Sequence, residues 1–466
     1  MRLRWLVLAT TVLVAVTACS GNSVKPTSSG TTGGGGTPTT ASAAAAKCTG
    51  VTLASPEVGV TPSTITVTVI ADTGSPIKPG LFQGSVDAVK AWANYMNDNG
   101  GLACRKVVVK SADSKLTAQD AKNAVAAACG DSIALVGTTA LFFQDITALQ
   151  GCKDKAGVAA GIPDLAELQT EASQQCSPDS YAVLPATGTC PYSGTGVRTF
   201  TIGATETDYY LKKFGNTLHG VFVVPKDLNS TIAATTPLFA AEQKLGIKMD
   251  KEFGESGLGT QADYTPVAAA LKQYNSNYAR NGLDYSGNVL ERKEAQAQGV
   301  TSVKVWDCSV QCYDKRLITT GGSAVANQYV WLNLLPLEDK DSNAQLQAMF
   351  KYEAQMGKTP DGFGEIAWLA GGIFAQAVNN VVETKGPNAL TRPNLIAAIK
   401  GIHDFTGGGM MPSTDIGGKK GSTCLVGMQV QGGKFVRIDP TTPGQFDCDN
   451  NKTVTVTLDP LKAFSG

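Results

Sequence analysis

The side chains able to do chemistry in this 466-residue chain gather at a few points. Thr138, Thr139 and Ala140 follow the apolar run 132–136 and precede a helix-like stretch. Two adjacent hydroxyls beside helix-start amides form a cradle for a carboxylate or amide oxygen without a cation. The same threonines would also serve as an ordinary helix N-cap. Phe142 and Phe143 come next, one expected to wall a cleft and the other to pack in the core. Asp72 and Ser75 lie in the loop 71–79, where such residues also build turns. Glu206, Asp208 and Tyr209, then Asp284 with Tyr285, and Glu291 offer acids and aromatic faces suited to an ammonium group. Acids of this kind more often sit solvated on a surface. Asp263 reads as a helix N-cap, and with Tyr264 it is taken as structural.

Several chemistries are excluded early. Two histidines, His219 and His403, cannot build a multi-histidine zinc site, and His219 falls in a strand-like run. Cys308 and Cys312 lack both CxxC spacing and a nearby His, so a metal or redox pair is not expected. There is no G-x-S-x-G, no P-loop and no H-E-x-x-H, and the glycines at 407–409 do not link a strand to a helix. No catalytic residue, metal or cofactor is therefore expected. The 39 basic and 39 acidic residues balance, which argues against a nucleic-acid partner.

The elements that must position these residues alternate. A β-branched run at 65–70 leads to a helical pattern at 81–96, then strand 106–110, helix 116–128, strand 132–136 and helix 142–155. Residues 181–184 are strand-like. The alternation restarts with strand 219–224, helix 230–245, strand 248–253, helix 263–274 and short strands at 302–305 and 329–335. Helices at 343–356, 364–384 and 395–400 precede a hairpin at 423–430 and 434–439 around Gly432-Gly433. Strands alternating with helices imply βαβ units and parallel sheets, here as two Rossmann-like α/β lobes. In such sheets ligands sit beyond the carboxyl ends of the strands.

The N-terminus carries its own chemistry. Arg2 and Arg4 precede an apolar run from Trp5 to Val16, long enough for a secretory signal and too short to span a bilayer. Val16-Thr17-Ala18-Cys19 is similar to a bacterial lipobox, which implies cleavage after 1–18 and lipid on Cys19. Residues 20–46 hold one charge, Lys25, and no aromatic residue, so 19–46 reads as anchor plus flexible tether of about 25–30 Å. With Cys19 assigned, ten of the eleven cysteines remain for an oxidising compartment. Helix ends and strand starts share one sheet edge, which predicts Cys104–Cys129 and Cys152–Cys176. Cys308 and Cys312 would close a small loop and Cys424 would meet Cys448, leaving Cys48 and Cys190 without an argument.

The stretch Gly84-x-Val86-Asp87-Ala88-x-Lys90-Ala91-Trp92-x-Asn94-x-x-Asn97, closed by Asn99-Gly100-Gly101-Leu102, resembles the first helix of type I periplasmic substrate-binding proteins, the branched-chain amino acid and amide group. Ala134–Thr139, Ala262-Asp263-Tyr264-Thr265-Pro266 and the closing Gly432–Ile438 continue the likeness across most of residues 61–440. The resemblance implies a type I periplasmic-binding-protein fold with three hinge crossovers, placed near Ala186, Leu335-Pro336 and Gly432. The first lobe would comprise 47–186 and 336–431, the second 187–335 and 432–466. It further implies a monomeric, non-enzymatic receptor on the outer face of the cell membrane. Such a receptor takes a small polar solute, of amino acid or amide type, to the permease of an ABC importer, with Thr138 and Thr139 at the ligand carboxylate. The alternative is a ligand-sensing or cell-envelope lipoprotein that kept the fold without transport. Two stretches depart from the pattern: 186–215, glycine-rich and long, and 275–300, which reads as an insert.

Overall fold

The computed structural model describes residues 49–463 except 77, 170, 191–195, 228 and 449–451. The expected signal segment, Cys19, most of the tether and Cys48 lie outside the described residues. Fourteen strands are described: β1 Thr64–Ala71, β2 Lys106–Asp113, β3 Ala134–Thr138, β4 Asp164–Leu168, β5 Ser180–Leu184, β6 Arg198–Gly203, β7 His219–Pro225, β8 Lys248–Glu255, β9 Tyr278–Asn281, β10 Val305–Cys308, β11 Gln328–Leu332, β12 Val426–Gln431, β13 Lys434–Asp439 and β14 Thr453–Leu458. They form a five-stranded sheet in the order β2-β1-β3-β4-β5, a seven-stranded sheet in the order β13-β12-β11-β10-β9-β7-β8, and the pair β14-β6.

The first sheet is parallel throughout. Its β1 is buried along both faces from Val67 onward, as expected for a strand covered by helices on two sides. The helix Gln83–Asp98 and the helix Gly362–Lys385 pack against one another over this sheet, with Trp92 edge-on to Phe374 at 6.2 Å between ring centroids. Their close approach depends on Gly371, where a Cβ would stand 2.4 Å from the Trp92 ring. Removing either aromatic ring would leave a cavity costing about 3–5 kcal/mol. Asp361 caps the longer helix by accepting from the Gly364 amide at 2.7 Å. Gly386, at φ 86°, ends it.

Parallel β7–β11 form most of the second sheet, and the antiparallel hairpin β12-β13 extends it. The α/β class and the parallel sheets are therefore as the sequence implies.

Several local expectations change. The helix expected at 142–155 shrinks to Thr147–Gln150. Strand β4 was not foreseen because Asp164 and Glu167 break its apolar pattern, although both are fully buried. Residues 275–300 are no insert: they supply β9 at the middle of the second sheet and the helix Tyr285–Ala297. Glu206, Asp208 and Tyr209 lie on a helix, Thr205–Phe214, that follows β6. Gly432-Gly433 turns between two strands of one sheet, so the chain has joined the second sheet before β12 rather than at residue 432. Asp263 is the third residue of a capping box whose N-cap is Thr260.

The cysteine pairing is corrected in part. Cys308–Cys312 and Cys424–Cys448 form as expected. Cys129 instead bonds Cys152, and Cys176 bonds Cys190. With no long helix over 142–155, Cys152 stays beside the end of the helix Ala118–Asp131, its Cα 5.3 Å from that of Cys129. The segment leaving β5 turns back past Cys176, bringing in Cys190, so the expected Cys104–Cys129 and Cys152–Cys176 bridges are absent. Cys104 is disulfide-bonded as well.

Candidate functional site

A cavity of about 830 Å³ opens where the carboxyl ends of strands from both sheets meet. Gln169, just beyond β4, and Gln175 come from the first sheet, followed by the segment 183–190 that leaves β5. From the other side come Glu206, Arg280 at the end of β9, Ser309 and Val310 after β10, Trp331 in β11 and Asn333 after it. The segment from Gly418 to Thr423, entering β12, closes the wall. This is where a doubly wound sheet presents strand-end loops to a ligand.

Disulfides hold three of these wall segments. Cys190 lines the cavity and bonds Cys176, whose neighbour Gln175 also lines it. Ser309 and Val310 lie between the bonded Cys308 and Cys312. Thr423 and Leu425 flank Cys424, which bonds Cys448. Lys419, at φ 54°, adds a non-covalent tie. Its ammonium donates to the carbonyls of Gln175 at 2.8 Å and Ser177 at 2.5 Å and lies 5.0 Å from the Tyr181 ring centre. Burial lowers its pKa to about 8, against the pull of Asp164 and Asp179.

Behind the second-sheet wall lies a compact ionic network. One Arg280 guanidinium nitrogen meets Glu206 at 2.5 Å, Glu242 at 2.7 Å and Asp307 at 2.8 Å, and Arg280 is 4% exposed. The Tyr278 hydroxyl donates to Asp307 at 2.8 Å, and its oxygen also lies within hydrogen-bond distance of Glu242, at 3.1 Å. Burial pushes Glu206 well above the usual carboxylate range and Glu242 up to about 8, in each case against the pull of Arg280. Burial alone would lower Arg280, but the three carboxylates hold it strongly charged. Three acids thus share one cation, and protonation of the raised glutamates brings the cluster towards neutrality.

The residues expected from the sequence are dispersed. Glu206 is in the cavity wall. Thr138 ends β3, Thr139 bridges to Ala71, and both are buried with Ala140 in the first lobe, outside the cavity wall. The reason is Gly137: at φ 76° it bends β3, and the chain beyond turns into the packed interior. Asp72 is fully buried and accepts from the Ser114 hydroxyl and the Leu116 and Leu141 amides, so it ties three loops together. Ser75 is buried beside that loop. Phe143 packs in the core, while Phe142 lies near the helix Ala118–Asp131 rather than on the cavity. Tyr209 stands behind the wall, edge-on to Trp331 at 5.1 Å. Tyr285 lies under the Arg316 guanidinium, 4.5 Å from its ring centre. Glu291 is a core acid, accepting from the Asn281 amide at 2.5 Å, and burial raises it to about 7. Asp208 pairs with Lys452 at 2.9 Å.

Gln169, Gln175, Arg280, Trp331 and Asn333 were not foreseen as site residues. Asn333 fell inside the strand expected at 329–335, and Arg280 was hidden in the stretch read as an insert. The loops after β1 and β9 also touch: Lys78 reaches Asp284 at 2.7 Å.

Solved structures share this fold. An ABC transporter substrate-binding protein from Aeropyrum pernix superposes with a TM-score of 0.67 at 13% identity, over 86% of this chain and 98% of the other. A leucine binding protein from Thermotoga maritima gives 0.61 at 17% identity, over 80% and 97%. A solute binding protein from R. palustris, solved with benzoate, gives 0.62 at 15% identity, over 82% and 97%. At these identities the likeness speaks for the fold. Comparison with curated proteins gives no match. The sequence pattern of the periplasmic binding proteins matches residues 64–434, and the chain belongs to that family, one of binding proteins rather than enzymes.

Proposed function

We propose that this chain is a lipid-anchored extracytoplasmic receptor that captures a small polar solute in the cavity and hands it to an ABC importer. The observation that carries the reading is the position of the cavity: strand ends from two α/β sheets converge on it, with crossing segments as its walls. Closure of such lobes about their crossovers buries a solute without making or breaking bonds. Three structural neighbours are a leucine binding protein, a solute binding protein solved with benzoate and a fatty acid ABC transporter substrate-binding protein, so the fold accommodates different solutes. The lipid would sit on Cys19, with 19–46 as the tether that lifts the receptor off the membrane.

Two experiments test this. Thermal melting of the full chain against amino acids, amides, aromatic carboxylates and sugars should reveal at least one saturable stabiliser. Stabilisation by none of them would overturn the reading. Replacing Cys19 with Ala should release the protein from the membrane fraction, and retention would contradict the anchor.

A further inference from the structure

The chemistry of the cavity wall narrows what it accepts, given the reading of the chain as a solute-binding protein. We infer that the cavity takes an uncharged, hydroxyl-rich solute larger than one amino acid, a short oligosaccharide in size and chemistry.

Size comes first. At about 830 Å³ the cavity stands in the upper part of the roughly 300–1,000 Å³ range that encloses drug-sized ligands. A single amino acid would leave much of it to water.

Charge comes second. A buried zwitterion needs a free partner for each of its charges. The charged residues on the wall are Glu206, Arg280, Lys419 and Lys420. The Arg280 guanidinium is shared by Glu206, Glu242 and Asp307, so it has no charge to spare for a ligand carboxylate. Glu206 is committed to Arg280, and burial favours its neutral form, a poor partner for an ammonium. The Lys419 ammonium is spent on two backbone carbonyls. Lys420 is exposed at the rim, where water screens it.

Hydrogen bonding comes third. The remaining polar wall is neutral: Gln169, Gln175, Ser309, Asn333 and threonines. The Gln175 amide donates to the Gln169 carbonyl at 3.1 Å, but its buried Oε1 has no partner among the described residues. That oxygen is closed off as the side chain stands, and a small turn of the Gln175 amide toward the cavity would let it accept from a solute hydroxyl. Trp331 is 5% exposed and packs against Tyr209 and Tyr210, so it lends the cavity only an edge of its ring, and its indole nitrogen already donates to the Tyr210 hydroxyl at 2.8 Å. A ring edge and apolar wall beside neutral amide and hydroxyl groups suit the C–H groups and hydroxyls of a sugar.

The test is calorimetric titration of the full chain with cellobiose, trehalose and maltotriose, alongside L-leucine, L-glutamate and benzoate. At least one of the three sugars is expected to bind one to one. Gln175→Ala should weaken that sugar about tenfold, the loss expected for one buried hydrogen bond. Trp331→Phe, which keeps an aromatic ring, should weaken it too, with both variants melting cooperatively. Binding of leucine, glutamate or benzoate in the cavity, with no response to sugars, overturns the inference and leaves the solute-binding reading standing. No response to any sugar also overturns it. The solute-binding reading itself fails only if the wider panel of amino acids, amides and carboxylates is silent as well.

Discussion

Lys78 and Asp284 join the two halves of the molecule through an ion pair. The Lys78 ammonium, on the loop after β1, meets the Asp284 carboxylate at 2.7 Å and the Ser286 hydroxyl at 3.2 Å. Asp284 is also the N-cap of the helix Tyr285–Ala297, accepting from the Gly287 amide at 3.1 Å, so Lys78 grips a fixed element of the second lobe. Each side chain is 20% exposed, which keeps the pair partly in reach of solvent and salt.

This geometry makes Lys78 a latch on lobe closure. Lys78→Met should remove about 0.5–1 kcal/mol of preference for the closed arrangement, with little effect on the melting temperature of either lobe. Small-angle scattering should show a larger radius of gyration for the variant than for the parent at low salt. High salt should shrink that difference, and identical radii in both conditions would count against the latch.

The Arg280 network should be expensive to break and cheap to replace. Arg280→Met leaves Glu206, Glu242 and Asp307 buried without their cation, a loss of about 3–5 kcal/mol in comparable buried pairs. Chemical denaturation of the variant should show this as a much lower midpoint. A variant that also neutralises Glu206 and Glu242 as glutamines should recover part of the loss. No recovery would mean that packing, not uncompensated charge, dominates.

Buried acids also set a pH dependence. Burial is the largest influence raising Glu242 and Glu353 to about 8 and Glu291 to about 7, from an ordinary value of 4.5. A carboxyl with a raised folded-state pKa binds more protons when folded than unfolded between those values, so its stabilising contribution is full at low pH and is lost as pH rises. Lys419 acts in the opposite sense, but only between about 8 and 10.5. The chain should therefore melt at a higher temperature at pH 5 than at pH 7.5. Glu242→Gln should flatten that slope; an unchanged or rising stability curve over this range would refute the assignment.

The disulfides around the cavity should differ in their response to reductant. Cys190 and Cys448 are exposed, whereas Cys308 and Cys312 are fully buried. Mild reduction should open Cys176–Cys190 and Cys424–Cys448 first, loosening the segments 183–190 and 418–425 while the sheets persist. Hydrogen exchange followed by mass spectrometry should show protection lost in those segments and kept in β1 and β7. Cys176→Ser with Cys190→Ser should cost about 3 kcal/mol on the chain-entropy estimate for a loop of this size. Uniform loss of protection on mild reduction would contradict the ordering.

What the sequence revealed, and what it hid, divides along physical lines. β1, the helix Gln83–Asp98 and the hairpin β12-β13 were legible because their burial follows a simple period: β-branched residues covered on both faces, a helical apolar stripe, and alternation around two glycines. β4 and β9 were not, because each central strand carries residues that pattern reading assigns to a surface: Asp164 and Glu167 in one, Arg280 and Asn281 in the other. Their partners come from distant positions, as Glu206 and Glu242 do for Arg280, and no local spacing announces such an encounter. β6 was hidden for a different reason, since its strand partner among the described residues, β14, is contributed by residues 453–458. The site shows the same division. Glu206 could be singled out as an acid near a glycine, but Gln175 and Trp331 matter through convergence that only the folded chain displays.

The most direct test of the account is a solute titration of the full chain followed by its melting temperature, run in parallel on the parent, Gln175→Ala and Thr139→Val. A solute that binds in the cavity should stabilise the parent saturably, by about 2–3 kcal/mol at a hundredfold excess over Kd. It should act more weakly on Gln175→Ala and equally well on Thr139→Val, because Gln175 lines the wall and Thr139 does not. Full response in Gln175→Ala together with its loss in Thr139→Val would place the solute at the β3 loop instead and contradict the account.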